Sequence, residues 1–154
     1  MKGIKLEEPR NVDCVELEKP VPGPGEALIR IVTAGICGSD IGAFRGTNTL
    51  VSYPRIIGHE LAGIVEEIPA DNPKGLKPGD KVIVDPYIYC GECYPCSIGR
   101  TNCCTSLKVL GVHIDGGMAE YFCHPADMLV KMPEDMDWTD AAMAEPLTIS
   151  LHGI

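Results

Sequence analysis

At 154 residues the chain has the length of one domain, enough to bury roughly 70% of its unfolded surface without staples. Hydrophobic residues make up 45% and charged residues 23%, an ordinary globular mix, while aromatics at 5% leave the core to Ile, Val, Leu and Ala. Lys and Arg total 13 against 22 Asp and Glu, and the resulting −9 argues against a nucleic acid or an anionic membrane as partner.

Lys2, Lys5, Glu7 and Glu8 interrupt the N-terminal stretch, which therefore does not read as a signal peptide. No apolar run approaches the length of a membrane span. Residues 12–17 form a short β-prone run, followed by a loop rich in Pro and Gly (Pro20, Pro22, Gly23, Pro24, Gly25). Residues 26–33 alternate well enough for a strand. Ser39 or Asp40 then caps a short helix running to about Arg45. Residues 56–68 read as one long β segment that carries His59 and Glu60. Lys77-Pro78-Gly79-Asp80 is a turn into a strand at 81–84. Further strands are expected at 109–112, 117–122 and 128–132. Asp137 or Thr139 caps a helix through Ala141-Ala142-Met143-Ala144, and residues 147–154 begin another. Many short strands punctuated by Gly and Pro predict a mostly β, barrel-like domain with short helices.

The strongest chemical signal is Cys90, Cys93, Cys96 and Cys104, spaced C-x2-C-x2-C-x7-C. Four thiolates this close can surround one tetrahedral zinc, and the spacing disfavours a disulfide pair. Gly91, Pro95 and Gly99 let the backbone wrap a point, and Tyr94 and Ile98 are placed to shield it. Eight cysteines used in this way predict a reducing, cytoplasmic setting. Cys14, Cys103 and Cys123 read as incidental thiols. A four-cysteine zinc is closed to substrate, so a reactive centre must lie elsewhere. Gly35-Ile36-Cys37-Gly38-Ser39-Asp40 and Gly58-His59-Glu60-Leu61-Ala62-Gly63 together offer a thiolate, an imidazole and a carboxylate. Three protein ligands with one position left open is the arrangement of a catalytic zinc.

These motifs, with Gly79-Asp80-Lys81-Val82, Gly116-Gly117-Met118-Ala119-Glu120-Tyr121 and Ala144-Glu145-Pro146-Leu147, run nearly the whole length of the chain. The chain resembles the N-terminal catalytic domain of the zinc-dependent medium-chain alcohol and polyol dehydrogenases. One departure is Pro69, with the loop 70–75, where the family usually has a glycine near the end of the strand. The resemblance implies a GroES-like fold, one catalytic and one structural zinc, and NAD or NADP as hydride acceptor. It also implies a homo-oligomer, a dimer or tetramer. Cys37 and His59 are the first expected ligands of the catalytic zinc. The third is Glu60 or Glu145, and the sequence leaves both open. The later position is a cysteine in alcohol dehydrogenases and a glutamate in polyol dehydrogenases, so Glu145 tilts the expected substrate toward polyols. Ser39 matches the family's proton-relay hydroxyl, though helix capping is a plainer role for it.

Tyr53-Pro54-Arg55, the run from Arg100 to Cys104 and His113-Ile114-Asp115 resemble a subgroup that oxidises sugar acids, such as hexonate 5-dehydrogenases. In that setting Arg55 would pair with a substrate carboxylate; the plainer reading is a surface arginine at a strand start. No Gly-x-Gly-x-x-Gly lies between a strand and a helix. Residues 1–154 are therefore expected to be a truncated catalytic domain, without its nucleotide-binding domain and return segment and inactive alone. Three readings compete: a polyol or sugar-acid dehydrogenase, a simple alcohol or threonine dehydrogenase, and a zinc-binding structural or interaction module without catalysis.

Overall fold

The computed structural model describes residues 1–154. It is mostly strand with three short helices, the expected class. The central sheet has five strands in the order β10-β6-β5-β3-β9. Its longest member is β3 (Glu26–Ala34), whose Ala27, Leu28 and Ile29 are buried. On one side β3 pairs antiparallel with β5 (Leu61–Glu67), Ala34 opposite Leu61; on the other it pairs with β9 (Tyr121–Pro125). β6 (Lys81–Val84) joins β5 to β10 (Leu129–Lys131). The ten-residue core cluster is aliphatic, from Ala27, Ile29, Leu61 and Val65 to Leu110 and Leu129, as the scarcity of aromatics requires.

A three-stranded sheet, β2-β1-β4, flanks this layer. β2 (Asn11–Glu16) falls where the β-prone run was expected, but β1 (Lys2–Glu8) was not anticipated. Only Gly3 and Leu6 of β1 are buried, so charged residues dominate its pattern although it pairs on both edges. The expected long segment at 56–68 is two strands. β4 is only Arg55–Ile56, and a non-strand turn at 57–60 separates it from β5. Gly58 causes the break, with φ of 99°, a left-handed conformation that favours glycine. The loop at 70–75 is organised by one side chain. Asn72 Nδ2 donates to the Pro69 carbonyl at 2.8 Å and the Leu76 carbonyl at 2.9 Å, while Asn72 Oδ1 accepts from Leu76 N at 3.0 Å.

A third sheet is the short pair β7 (Tyr87–Ile88) and β8 (Lys108–Val109). Between these strands lies the cysteine lobe, with a one-turn helix α2 (Tyr94–Ser97) and a 3-10 turn at Thr101–Cys103. The expected strand at 109–112 is thus confined to this short pairing, and that at 117–122 moves to Tyr121–Pro125 because residues 116–118 bind the turn at 57–58 instead.

α1 (Gly38–Arg45) is capped by Cys37, two residues ahead of the expected Ser39 and three ahead of Asp40; Asp40 Oδ2 accepts from Cys37 N at 2.9 Å. α3 (Trp138–His152) starts at the expected Asp137, whose Oδ1 accepts from Asp140 N at 2.8 Å. It continues past Pro146 to His152, so the two helices expected here are one. No helix is long and apolar enough to cross a membrane.

Candidate metal centres

The N-terminus of α1 and the turn before β5 bring Cys37, His59 and Glu60 together. Their ligand atoms all lie within 4.8 Å of one another. His59 and Glu60 are buried and Cys37 is half-buried. Backbone packing fixes the turn: Gly116 N donates to Ile56 O at 2.7 Å, Gly117 N to Gly58 O at 3.0 Å and Met118 N to Ile57 O at 3.0 Å. Gly35 lies against Glu60. Its N–H donates to the Glu60 carbonyl at 2.8 Å, and a Cβ on it would overlap the Glu60 carboxylate.

His59 Nδ1 is buried without a hydrogen-bond partner. The nearest carboxylate oxygen, Asp40 Oδ1, is 3.8 Å away, an ion-pair distance but beyond hydrogen-bond reach. Ser39 Oγ is 3.4 Å from His59 Nε2. With Nδ1 turned toward Asp40, Nε2 is the ring nitrogen left to hold a cation beside the Cys37 thiol and the Glu60 carboxylate, and Nδ1–H would then face Asp40. The donor set of sulfur, nitrogen and oxygen suits zinc. Asp40, 3% exposed, was read from sequence only as a helix cap. Its burial beside the imidazole fits the carboxylate that commonly backs a metal-binding histidine. The Cys-Gly-Ser-Asp order could have signalled this.

Glu145 is not brought into that group. It projects from α3 with 6% exposure, and its Oε1 accepts from Tyr87 Oη at 2.6 Å. Burial first, then the Glu145 carboxylate, raises the Tyr87 hydroxyl above its ordinary range, so the phenol stays protonated as donor. Tyr87 was missed from sequence, because a tyrosine in a two-residue strand carries no motif.

The second centre is the cysteine lobe, where the sulfurs of Cys90, Cys93, Cys96 and Cys104 lie within 4.8 Å of one another. Cys93 and Cys96 sulfurs are 3.4 Å apart and those of Cys90 and Cys104 3.5 Å, non-bonded distances that leave all four as free thiols. Backbone N–H groups point at them: Cys90 N and Ser106 N each donate to Cys104 Sγ at 3.3 Å. Amide donors from Cys96 and Thr105 pull Cys93 down to about 6, and Cys104 is lowered mainly by the Cys90 amide. Burial pushes Cys96 up to about 12. The set is thus partly prepared to be thiolate, as metal binding needs. Tyr94 and Ile98 are 76% and 51% exposed and leave the cluster partly open, with Cys90 itself exposed. Cys103 points outward and is exposed.

Arg55 does not present a free fork. Its Nη1 donates to Asp115 Oδ1 at 3.2 Å and its Nη2 to Ser52 Oγ at 2.7 Å, while Asp115 Oδ1 also accepts from Ile56 N at 3.1 Å. Arg55 and Asp115 therefore clip β4 to the segment that packs on the His59 turn.

The family model described as the alcohol dehydrogenase GroES-like domain matches residues 23–134. An uncharacterised zinc-type alcohol dehydrogenase-like protein of Haemophilus influenzae is 56% identical over 154 residues, all of this chain and 45% of that protein. L-Galactonate-5-dehydrogenase of Escherichia coli is 42% identical over 155 residues, all of this chain and 45% of that protein. A crystal structure of a short chain alcohol dehydrogenase, RspB, from Escherichia coli, complexed with NADH, superposes with TM-score 0.90 at 45% identity, covering 98% of this chain and 44% of that one. The chain thus spans less than half the length of these relatives.

Proposed function

The chain belongs to the alcohol dehydrogenase GroES-like domain family, and on that premise we propose that it is the catalytic portion of a zinc-dependent dehydrogenase acting on a secondary hydroxyl of a polyol or sugar acid. The observation that carries the proposal is the convergence of Cys37, His59 and Glu60, whose ligand atoms lie within 4.8 Å of one another in a largely buried group backed by Asp40. These three residues would hold the catalytic zinc. Cys90, Cys93, Cys96 and Cys104 would hold a structural one.

When bound, zinc supplies Lewis-acid polarisation of the substrate oxygen and NAD or NADP supplies the hydride acceptor. The chain's own residues do the rest. Asp40, 3.8 Å from His59 Nδ1, holds the ring electrostatically. Ser39 Oγ, half-buried and 3.4 Å from His59, takes the substrate hydroxyl proton and passes it to solvent. The proton leaves the oxygen by that route as the hydride leaves the carbon. Cys37 and Glu60 would give the site two anionic ligands, which suits an exchangeable fourth position. Glu145, held by Tyr87, is the glutamate that the resembled polyol dehydrogenases carry where alcohol dehydrogenases have a cysteine.

Polyol and sugar-acid substrates are favoured by Glu145 and by the similarity to L-galactonate-5-dehydrogenase. Arg55, engaged with Asp115 and Ser52, is not part of this reading. The test is a count and a panel. Native mass spectrometry should find two zinc ions per chain. In a protein joining this chain to a nicotinamide-binding portion, reduced-cofactor formation should be fastest on hexonates and sorbitol. Fastest turnover of ethanol would refute the substrate class, L-threonine would favour the amino-alcohol reading, and full activity in Cys37→Ala or His59→Ala would refute the zinc chemistry.

A further inference from the structure

Glu145 and Tyr87 form a pair that the reading above leaves without a task. Glu145 is 6% exposed, and the Tyr87 hydroxyl, 2.6 Å from Oε1, is the side chain that hydrogen-bonds its carboxylate. A buried carboxylate deprived of a donor is expensive and seeks another partner. A cation held by Cys37, His59 and Glu60 would be such a partner, since Tyr87 lies close enough to Cys37 to feel its charge.

The two members of the pair are mounted differently. Tyr87 sits on β7, opposite Val109 of β8. Its own N–H donates to Asp85 Oδ1 at 3.1 Å, and Leu110 N donates to Pro86 O at 3.2 Å just beside it. The Asp85 carbonyl is in turn tied to His124 Nε2 at 2.8 Å. Glu145 is less constrained. Pro146 follows it inside α3, and proline lacks the N–H that would bond back to the Ala142 carbonyl, so the helix is softened at that point. The anchored phenol therefore sets the position of the carboxylate.

We propose that Tyr87 is a positioning residue that holds Glu145 out of the coordination sphere of a metal bound by Cys37, His59 and Glu60, and so keeps one position open. The consequence is chemical. Four protein ligands make a closed site, whereas three leave room for substrate oxygen. The inference rests on the proposed function, since it takes those three residues as ligands.

The test uses the zinc-loaded chain and three variants: Tyr87→Phe, Glu145→Gln and the double variant. The readouts are zinc affinity at the weaker site, by competition with a chromophoric chelator, and the visible absorption of the cobalt-substituted chain, which reports coordination number. Tyr87→Phe keeps the ring and removes the donor. It should bind zinc more tightly, on the order of tenfold, with a cobalt spectrum shifted toward higher coordination. Glu145→Gln should abolish both effects in the double variant. Tyr87→Leu, which also lacks the hydroxyl, should repeat the gain and guards against a peculiarity of one variant. Unchanged or weaker binding in both Tyr87 variants overturns the proposal, as does a gain that persists without Glu145. A wild-type chain that binds only one zinc would instead overturn the proposed function, and this inference with it.

Discussion

Gly35→Ala separates Glu60 from the other candidate ligands without touching any of them. A Cβ at position 35 would overlap Glu60 Oε2 and lie 2.9 Å from Glu60 Cβ and 3.1 Å from Cδ. The carboxylate must retreat by roughly 1 Å to regain van der Waals distance, several times the tolerance of a metal-ligand bond, about 0.2 Å. The φ of Gly35 is not left-handed, so alanine adds no backbone strain there. The cost to the metal-free fold is that of a local overpacking, about 1–3 kcal/mol, because the Glu60 carboxylate can turn aside while its Cβ moves only with the backbone. The cost to metal binding is separate, at least about 10- to 100-fold in affinity, or roughly 1.4–2.8 kcal/mol. Chelator competition on the purified chain should show one ion weakened by that factor while the four-cysteine ion holds, and urea unfolding of the stripped chain should show only the packing loss. If Gly35→Ala keeps both ions at wild-type affinity, Glu60 is not a ligand and the assignment passes to Glu145.

The other expectations follow the same geometry. Cys93→Ser should release one zinc and lower the thermal midpoint by roughly 5 °C or more; Cys103→Ser should do neither, and the reverse pattern would move the ligand from Cys104 to its neighbour. His124 is lowered below 6.5, chiefly by burial, and its Nδ1 has no partner to receive a proton's hydrogen bond. Between that lowered value and 6.5 the unfolded chain binds the proton and the folded chain does not. Stability is therefore full above about pH 6.5 and declines as pH falls below it. Urea midpoints at pH 7.5 and 5.5 should show this, with a shallower change in His124→Gln, which keeps a donor for the Asp85 carbonyl; equal changes would exonerate His124. Calorimetric titration of the chain with NAD and with NADP should give no micromolar binding, and a clear isotherm would place a phosphate-binding surface among these residues.

Spacing and punctuation made much of this legible. The turn Lys77-Pro78-Gly79-Asp80 leads into a strand at Lys81–Val84, and Asp137 caps α3, because Gly, Pro and Asp act locally. The cysteine spacing predicted a cluster that the fold closes to within 4.8 Å. What sequence did not reveal depends on distant partners. β1 carries four charges in seven residues, without alternation, and is a strand because β2 and β4 flank it. Residues 56–68 look continuous, and the turn that aims His59 and Glu60 combines the left-handed φ of Gly58 with the close approach of Gly111 and Gly116, which are distant in sequence. The separation of Glu145 from the ligand group and its pairing with Tyr87 join positions 58 residues apart, which no local pattern encodes.

The cysteine lobe hangs from a strand pair of two residues on each side and contains no strand of its own. Its interior is four sulfurs rather than an aliphatic cluster. Such a segment opens and closes as a local cooperative unit, with its opening free energy set by ion occupancy instead of by the central sheet. Stripping that ion should therefore raise amide exchange and protease cleavage across residues 90–107 first, while the five-stranded sheet stays protected. Because Tyr87 stands at the root of the same strand pair, opening would also loosen the mount of the phenol that faces Glu145. Loss of that ion would then loosen the Tyr87–Glu145 contact before any global unfolding became measurable.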